Sequence, residues 1–360
     1  MFLFVLLFMG ACTTTSADDL MVAETQKIAE EATLPLIQLE YVHKKHTLSF
    51  ELSQIDSVPA SANSSTVFQA ASLSKPVFAY IVLRMLDKGS IDLDAPVATY
   101  TDVDRFENKE WAWRITPRMV LSHRTGLYNW AAGPSGDAWP TSKISFLYEP
   151  DSIFSYSGEA FAFLQRAVEN IEGKSLQEIA EREVFVPFDM PNTSYGWKEN
   201  YTLIAADGYN REGGNAGKYR YARESSAYTL RTSAKEYSRF IKNALIDGVG
   251  LKPETHRLML TPTGVAQRNK IERPYDKQIT WGLGIGIEHN EELGDIYHHW
   301  GDNGNFKALF VIAPKVEKYL VYFTNSRKGH DIIDELLPVY FHNTKPLTLS
   351  EWISNDDFGY

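Results

Sequence analysis

Stretches that read as β-strands stand at the two ends of this 360-residue chain, and its middle has few of them. "LIQLEYV" and "HTLSFELS" form two strand-like runs joined at "HKK", a β-hairpin with a modest loop. Far downstream, "WGLGIGIEH", "DIYHHW", "FKALFVIA" and "KYLVYFTN" read as further strands, and "HDIIDELLPVYF" as a closing helix. Between about Asp92 and Arg231 the pattern turns to helical segments and Pro/Gly loops. There "SGEAFAFLQRAVENIEG" lines up Phe161, Leu164, Val168 and Ile171 on one helical face. Strands separated this way meet in one sheet only if the chain leaves the sheet and returns to it. Consecutive hairpins near the C-terminus make that sheet antiparallel. The expected architecture is α/β, an antiparallel sheet flanked by helices plus an inserted, mainly helical lobe. Its boundaries fall at 24–95 and 232–345 for the discontinuous α/β domain, 96–231 for the insertion and 346–360 for a C-terminal tail.

A chain of this length buries a large core, and 19 Tyr, 19 Phe and 8 Trp argue against disorder over most of it. The balance of 36 Lys+Arg against 46 Asp+Glu leaves a formal charge of -10 with no local basic cluster, which disfavours nucleic-acid binding by phosphate neutralisation. The only cysteine, Cys12, permits neither an intrachain disulfide nor a cysteine metal cage. It ends the apolar run "MFLFVLLFMGAC", too short for a membrane-spanning helix and fitting an export signal over 1–11, with 12–23 as a linker. With Gly10 and Ala11 before the cysteine, the run resembles a bacterial lipoprotein signal. That resemblance implies lipidation at Cys12, a periplasmic or cell-envelope location, and membrane contact through that anchor alone. An apolar N-terminus with an unmodified thiol is the other reading.

The segment "QAASLSKPVFAY" opens a helix whose apolar stripe runs through Phe78, Ile81, Val82, Met85 and Leu86. Pro76 falls in the first turn, where its missing N–H is tolerated, and Lys88 with Gly89 supplies the stop. Residues three apart share a helix face, so Ser72 and Lys75 can touch while Ser74 and Lys75 cannot. Serine becomes a useful nucleophile when a base takes its proton, and a lysine serves as that base once burial depresses its pKa. Taken alone, the same residues read as a cap and a solvated charge.

From about Leu34 to about Leu337 the chain resembles the serine β-lactamase/DD-peptidase superfamily, in its class C β-lactamase-like branch. "VFQAASLSKPVFAY" is similar to the nucleophile segment, with Ser72 and Lys75 in its two catalytic places. "FSYSGEAFAFLQ" stands at the second motif with Tyr156 as its tyrosine, and "HHWGDNGNFKA" resembles the third motif with His299 and Gly301. "DKGSIDLDAPVATY", "ITPRMVLSHRTGL", "VFVPFDMPNTSYGW" and "TNSRKG" resemble further landmarks. The resemblance implies an oxyanion hole from the backbone N–H groups of Ser72 and Asp302. It also implies a small-molecule or peptidoglycan-like substrate (a β-lactam, a D-amino-acid peptide or an ester) and no cofactor.

The residues make chemical sense unaided as well. Tyr156 lies just ahead of a helix in the insertion, where it can reach across a cleft between lobes, and a phenol near an ammonium shuttles a proton. In "YHHWGD" successive side chains alternate, so His299 and Gly301 share a face and His298 points the other way. That alternation disfavours a two-histidine metal site, and no H-E-x-x-H spacing occurs elsewhere. We expect Gly301 to leave room beside the imidazole for substrate, His299 to orient Tyr156 or the substrate, and His123 to order a loop near the cleft. Asp302 and Asn303 read either as substrate contacts or as turn residues. Two departures from the family pattern weigh against efficient β-lactam hydrolysis. Gly158 replaces the asparagine of the second motif, and His299 stands where many β-lactamases carry lysine. The expectation is a serine hydrolase working through an acyl-serine. The alternative is a penicillin-binding sensor that acylates without turnover; an α/β-hydrolase esterase fails for want of a G-x-S-x-G elbow.

Overall fold

The computed structural model describes residues 16–54, 63–267, 273–274 and 276–354. The run read as an export signal at 1–11, and Cys12, lie outside the described residues. Helix α1 (Ala17–Glu31) opens on Ser16, whose Oγ accepts from the Asp19 N–H while the Asp19 carboxylate accepts from the Ser16 N–H, each at 3.1 Å. This reciprocal cap starts the helix inside the stretch read as a linker, and 12–23 is corrected to that extent. Strands β1 (Leu36–His43) and β2 (His46–Ser53) make the expected hairpin, turning at Lys44 with φ 57°.

The chain then runs through helices α2 (Ser74–Asp87), α3 (Gly158–Glu172) and α4 (Ala234–Phe240) before returning to the sheet. The returning strands are β3 (Gly264–Val265), β4 (Ile279–Trp281), β5 (Gly286–Asn290), β6 (Gly294–Asp302), β7 (Lys307–Ala313) and β8 (Lys318–Thr324). Helices α5 (Ile333–Phe341) and α6 (Thr348–Ser354) close the described chain. The sheet has eight strands in the order β2-β1-β8-β7-β6-β5-β4-β3, with every neighbouring pair antiparallel. Its seam joins the two ends of the chain: β1 pairs β8 from Ile37 opposite Thr324 to His43 opposite Lys318.

Both faces of the sheet are covered, which is why "FKALFVIA" reads as a continuous apolar run rather than an alternating one. Ala308, Phe310 and Ile312 of β7 enter one core with α2 and α3, while Leu309, Val311 and Ala313 enter the other with α1, α5 and α6. The expected insertion is less helical than its composition indicated. Among the described residues of 96–231, α3 and the continuous helical run from Leu176 to Phe185 are the helices longer than five residues, and 122–157 is mostly turns and bridges. Nor does it form a core of its own, because Phe161 and Leu164 pack in one cluster with Phe78 and Val321. The C-terminal segment is likewise corrected. Trp352 of α6 is buried, its indole N–H donates to the Ala266 carbonyl at 3.1 Å, and its ring centroid lies 5.1 Å from that of Trp300. None of the helices among the described residues is long and apolar enough to cross a membrane.

Candidate active site

The chain enters α2 through a 3₁₀ turn at Ala71–Leu73. Its first bond runs from the Leu73 N–H to the Ala70 carbonyl at 3.0 Å, so the Ser72 N–H has no partner within the turn. Ala71 is held at φ 49°, a left-handed conformation that costs a residue with a Cβ on the order of 1–3 kcal/mol. Buried hydrogen bonds hold it there. Ser74 Oγ donates to the Ala71 carbonyl at 2.6 Å, and the Tyr237 and Tyr195 hydroxyls each donate at 2.9 Å to the Leu73 and Ser74 carbonyls. Ser72 does not cap α2: the capping position is Leu73, and no side chain caps it. The hydroxyl is therefore left for another partner.

That partner is Lys75. Eleven of the fourteen residues of α2 are buried, so a lysine at its second position has no wet face onto which to snorkel. Lys75 is 2% exposed, with Nζ 3.1 Å from Ser72 Oγ and donating to the Ala227 carbonyl at 2.9 Å. No carboxylate pairs with it among the described residues; besides those two oxygens it faces rings, at 4.7 Å from the Tyr156 centroid and 5.6 Å from that of Phe161. Burial holds its pKa well below the ordinary lysine value.

Tyr156 sits two residues ahead of α3, whose cap Ser157 accepts from the Ala160 N–H at 3.0 Å and donates to the Tyr128 carbonyl at 2.8 Å. His123 grips it from both sides. Its carbonyl accepts from the Ser155 N–H at 2.6 Å, and its Nδ1 accepts from the Ser157 N–H at 3.2 Å. Its ring lies 4.2 Å from the Tyr156 ring at 30°. Accepting at Nδ1 fixes the proton on Nε2, so the ring is a neutral tautomer, and burial followed by the Lys75 charge pushes its pKa well down. The sequence reading of His123 as a loop organiser missed this direct contact, because neither His123 nor Tyr156 shows in its own segment what it packs against.

The third motif is corrected in one respect. A Cβ on Gly301 would lie 2.3 Å from the Ala70 carbonyl oxygen, so the glycine admits the backbone of the Ser72 turn and not a substrate. His299 is fully buried behind that contact, with Nδ1–H donating to the Trp300 carbonyl at 2.8 Å and its ring 6.4 Å from that of Tyr156. It does not reach the cleft surface, which leaves it beside Tyr156 rather than against a substrate. Asp302 does line the cleft. The Asn303 N–H donates across to Phe306 at 3.1 Å, so ladder alternation turns the Asp302 N–H away from β7. On that other side β5 pairs no further than Gly286 opposite His298, and the Asp302 N–H faces the open edge.

Ser72, Lys75, Tyr156, Trp300 and Asp302 all line one cleft of about 990 Å³. Asp302 is already engaged, ion-paired to Lys307 and accepting from the Gly304 N–H at 2.7 Å. The Asn303 amide nitrogen donates to Gln69, Tyr221 and the Tyr228 carbonyl at 2.8–3.1 Å, so this side chain braces the wall. Where the family has an asparagine, a Cβ on Gly158 would lie 2.2 Å from Trp130 Cζ2. The indole occupies that space. Gly158→Ala is expected to cost about 1–3 kcal/mol through overpacking, read as a lower urea midpoint at unchanged m-value.

Comparison with known proteins bears on the family and the fold. The family model described as Beta-lactamase matches residues 46–337. The chain is similar to penicillin-binding protein 4 of Amycolatopsis lactamdurans, at 22% identity over 266 residues, 69% of each chain. It is also similar to the D-alanyl-D-alanine-carboxypeptidase/endopeptidase AmpH of Escherichia coli (strain K12), at 25% identity over 142 residues, 36% of this chain and 37% of that one. Among solved structures, a D-stereospecific amidohydrolase from Streptomyces sp. superposes with a TM-score of 0.72 at 17% identity, covering 90% of this chain and 99% of the other. That last likeness is one of fold. On the match from 46 to 337, the chain belongs to the beta-lactamase family of serine hydrolases.

Proposed function

We propose that the protein hydrolyses an amide or ester by way of an acyl group on Ser72. The observation that carries this reading is the 3.1 Å approach of a buried, carboxylate-free amine to the Ser72 hydroxyl. As a neutral amine, Lys75 keeps its N–H on the Ala227 carbonyl and offers its lone pair to the Ser72 O–H. Ser72 Oγ bonds to the substrate carbonyl carbon while its proton passes to Lys75 Nζ. The oxyanion is received by the N–H groups of Ser72 and Asp302, donors of a kind that contributes on the order of 3 kcal/mol each. The C–N or C–O bond then breaks, and the leaving atom takes the proton back by way of Lys75 and Tyr156. Water then attacks the acyl-serine, giving its proton to the Tyr156 oxygen as the phenol proton passes to Lys75 Nζ. The Ser72 Oγ–acyl bond breaks, Oγ takes that proton back through the same relay, and the acid leaves. His123 and His299 keep Tyr156 in place.

Several features support a substrate whose leaving group carries a carboxylate. Arg327 lines the same cleft, exposed, and its guanidinium has no ion pair or hydrogen bond among the described residues. The D-alanyl-D-alanine-carboxypeptidase/endopeptidase to which the chain is similar points the same way. A fluorophosphonate probe should add its mass to the peptide containing Ser72, with no labelling of Ser72→Ala. A variant still labelled would overturn the assignment. Steady turnover of an activated ester is expected, and a single stoichiometric burst would instead mark a sensor that acylates and stops.

A further inference from the structure

Resting on the acyl-serine reading, we propose that the acyl side of the substrate ends in an aromatic or bulky apolar group seated on Trp130, with no side-chain amide required for recognition. The cleft wall beside Ser72 is made of rings. Trp130 meets Tyr228 edge-on at 5.5 Å and 83°, and Tyr228 meets Tyr221 edge-on at 5.1 Å and 90°; all three line the cleft with Ser72. They are half-buried, so each keeps ring surface toward the cleft.

The polar end of Tyr221 is spent inside the protein. The Tyr221 hydroxyl donates to Gln69 Oε1 at 2.5 Å and accepts from Asn303 Nδ2 at 2.8 Å, which fixes the ring and leaves its face for contact. The Arg231 guanidinium braces Tyr221 from behind, 5.2 Å from the centroid. Three polar side chains of this wall are committed inside the protein, Asp302 to Lys307, Asn303 to its three acceptors and Asn129 by its Oδ1 to the Gly158 N–H. Gly158 offers none, and the indole above it closes the space in which a longer residue would stand. An edge-on aromatic wall that keeps ring surface toward the cleft is complementary to another ring.

The test varies the acyl group and keeps the leaving group fixed, using p-nitrophenyl phenylacetate, p-nitrophenyl acetate and the p-nitrophenyl ester of N-acetylglycine. Phenylacetate should exceed acetate in kcat/KM by about 30-fold, the scale expected for burying one phenyl ring against aromatic neighbours. The N-acetylglycyl ester should gain little over acetate. Trp130→Ala should bring the phenylacetate-to-acetate ratio below about 5, whereas Trp130→Phe, which keeps a ring face, should retain most of it. Fluorophosphonate labelling of Ser72 in each variant separates the two claims. Labelling with an unchanged ratio in Trp130→Ala, or a wild-type preference for the N-acetylglycyl ester, overturns the acyl-site inference alone. Failure of the wild-type protein to label at Ser72 overturns the acyl-serine reading and this inference with it. If Trp130→Ala fails to fold, the wild-type preference and its retention in Trp130→Phe decide: a wild-type ratio near one refutes the proposal.

Discussion

Ser72→Ala and Lys75→Ala should each lower kcat/KM by about 10⁴-fold or more, and the double variant should lose no more than the worse single one. The hydroxyl and the amine act as one unit at 3.1 Å, so removing either removes the transfer of the same proton, and the losses do not multiply. Lys75→Arg should not rescue, because a guanidinium stays protonated and has no lone pair to offer. The pH profile follows from the same chemistry with a definite sign. The working form of Lys75 is the neutral amine, so kcat/KM rises as pH climbs through the folded-state pKa of Lys75. Burial has moved that pKa well below the usual 10.5, which brings the rising limb down toward neutral pH. A rising limb centred near 10.5 would mean that Lys75 titrates as a solvated amine. Multiplicative losses in the double variant would mean that Ser72 and Lys75 do not share a step.

The parts of this site that were legible in the sequence are those set by local geometry. Helical spacing alone puts Lys75 within reach of Ser72, strand alternation alone puts His299 and Gly301 on one face, and both dispositions appear in the structure. What covers each face was not legible, since that depends on segments far away in the chain. A glycine signals that a Cβ is unwelcome without saying why. At Gly301 the intruder is the Ala70 carbonyl, at Gly158 the Trp130 indole, and neither neighbour is near in sequence. The same limit explains the ends of the fold. The eight-stranded sheet could be expected from strands at both termini, but the docking of Trp352 against Trp281 and Trp300 depends on a pocket no local pattern describes. The 122–157 stretch, which delivers His123, Trp130 and Tyr156, carries little periodicity to read because turns and bridges have none.

Acid should unfold this protein far more readily than its carboxylates alone would dictate. His123 and His299 are fully buried, and burial first and the Lys75 charge second hold both well below the ordinary imidazole pKa of 6.5. His330 is pushed down to about 4, by burial first and Lys307 second. As pH falls below 6.5, the unfolded chain takes up protons on these rings and the folded chain does not. The unfolded state then binds more protons, so stability drops with falling pH. Each such ring steepens the drop by about 1.4 kcal/mol per pH unit. The two fully buried rings together thus cost about 2–3 kcal/mol between pH 6 and pH 5, against a total stability on the order of 5–15 kcal/mol. Urea midpoints at pH 6.5, 5.5 and 5.0 measure it directly. His123→Asn places an amide oxygen where Nδ1 accepts from the Ser157 N–H, and asparagine tolerates the φ of 55° found there. That variant should be less stable at pH 7, through loss of ring packing on Tyr156, yet its pH slope should be shallower by one proton. A slope unchanged in His123→Asn, or stability flat from pH 6.5 to 5.0, would show that these imidazoles admit protons in the folded state and that the site around Tyr156 is wetter than its packing implies.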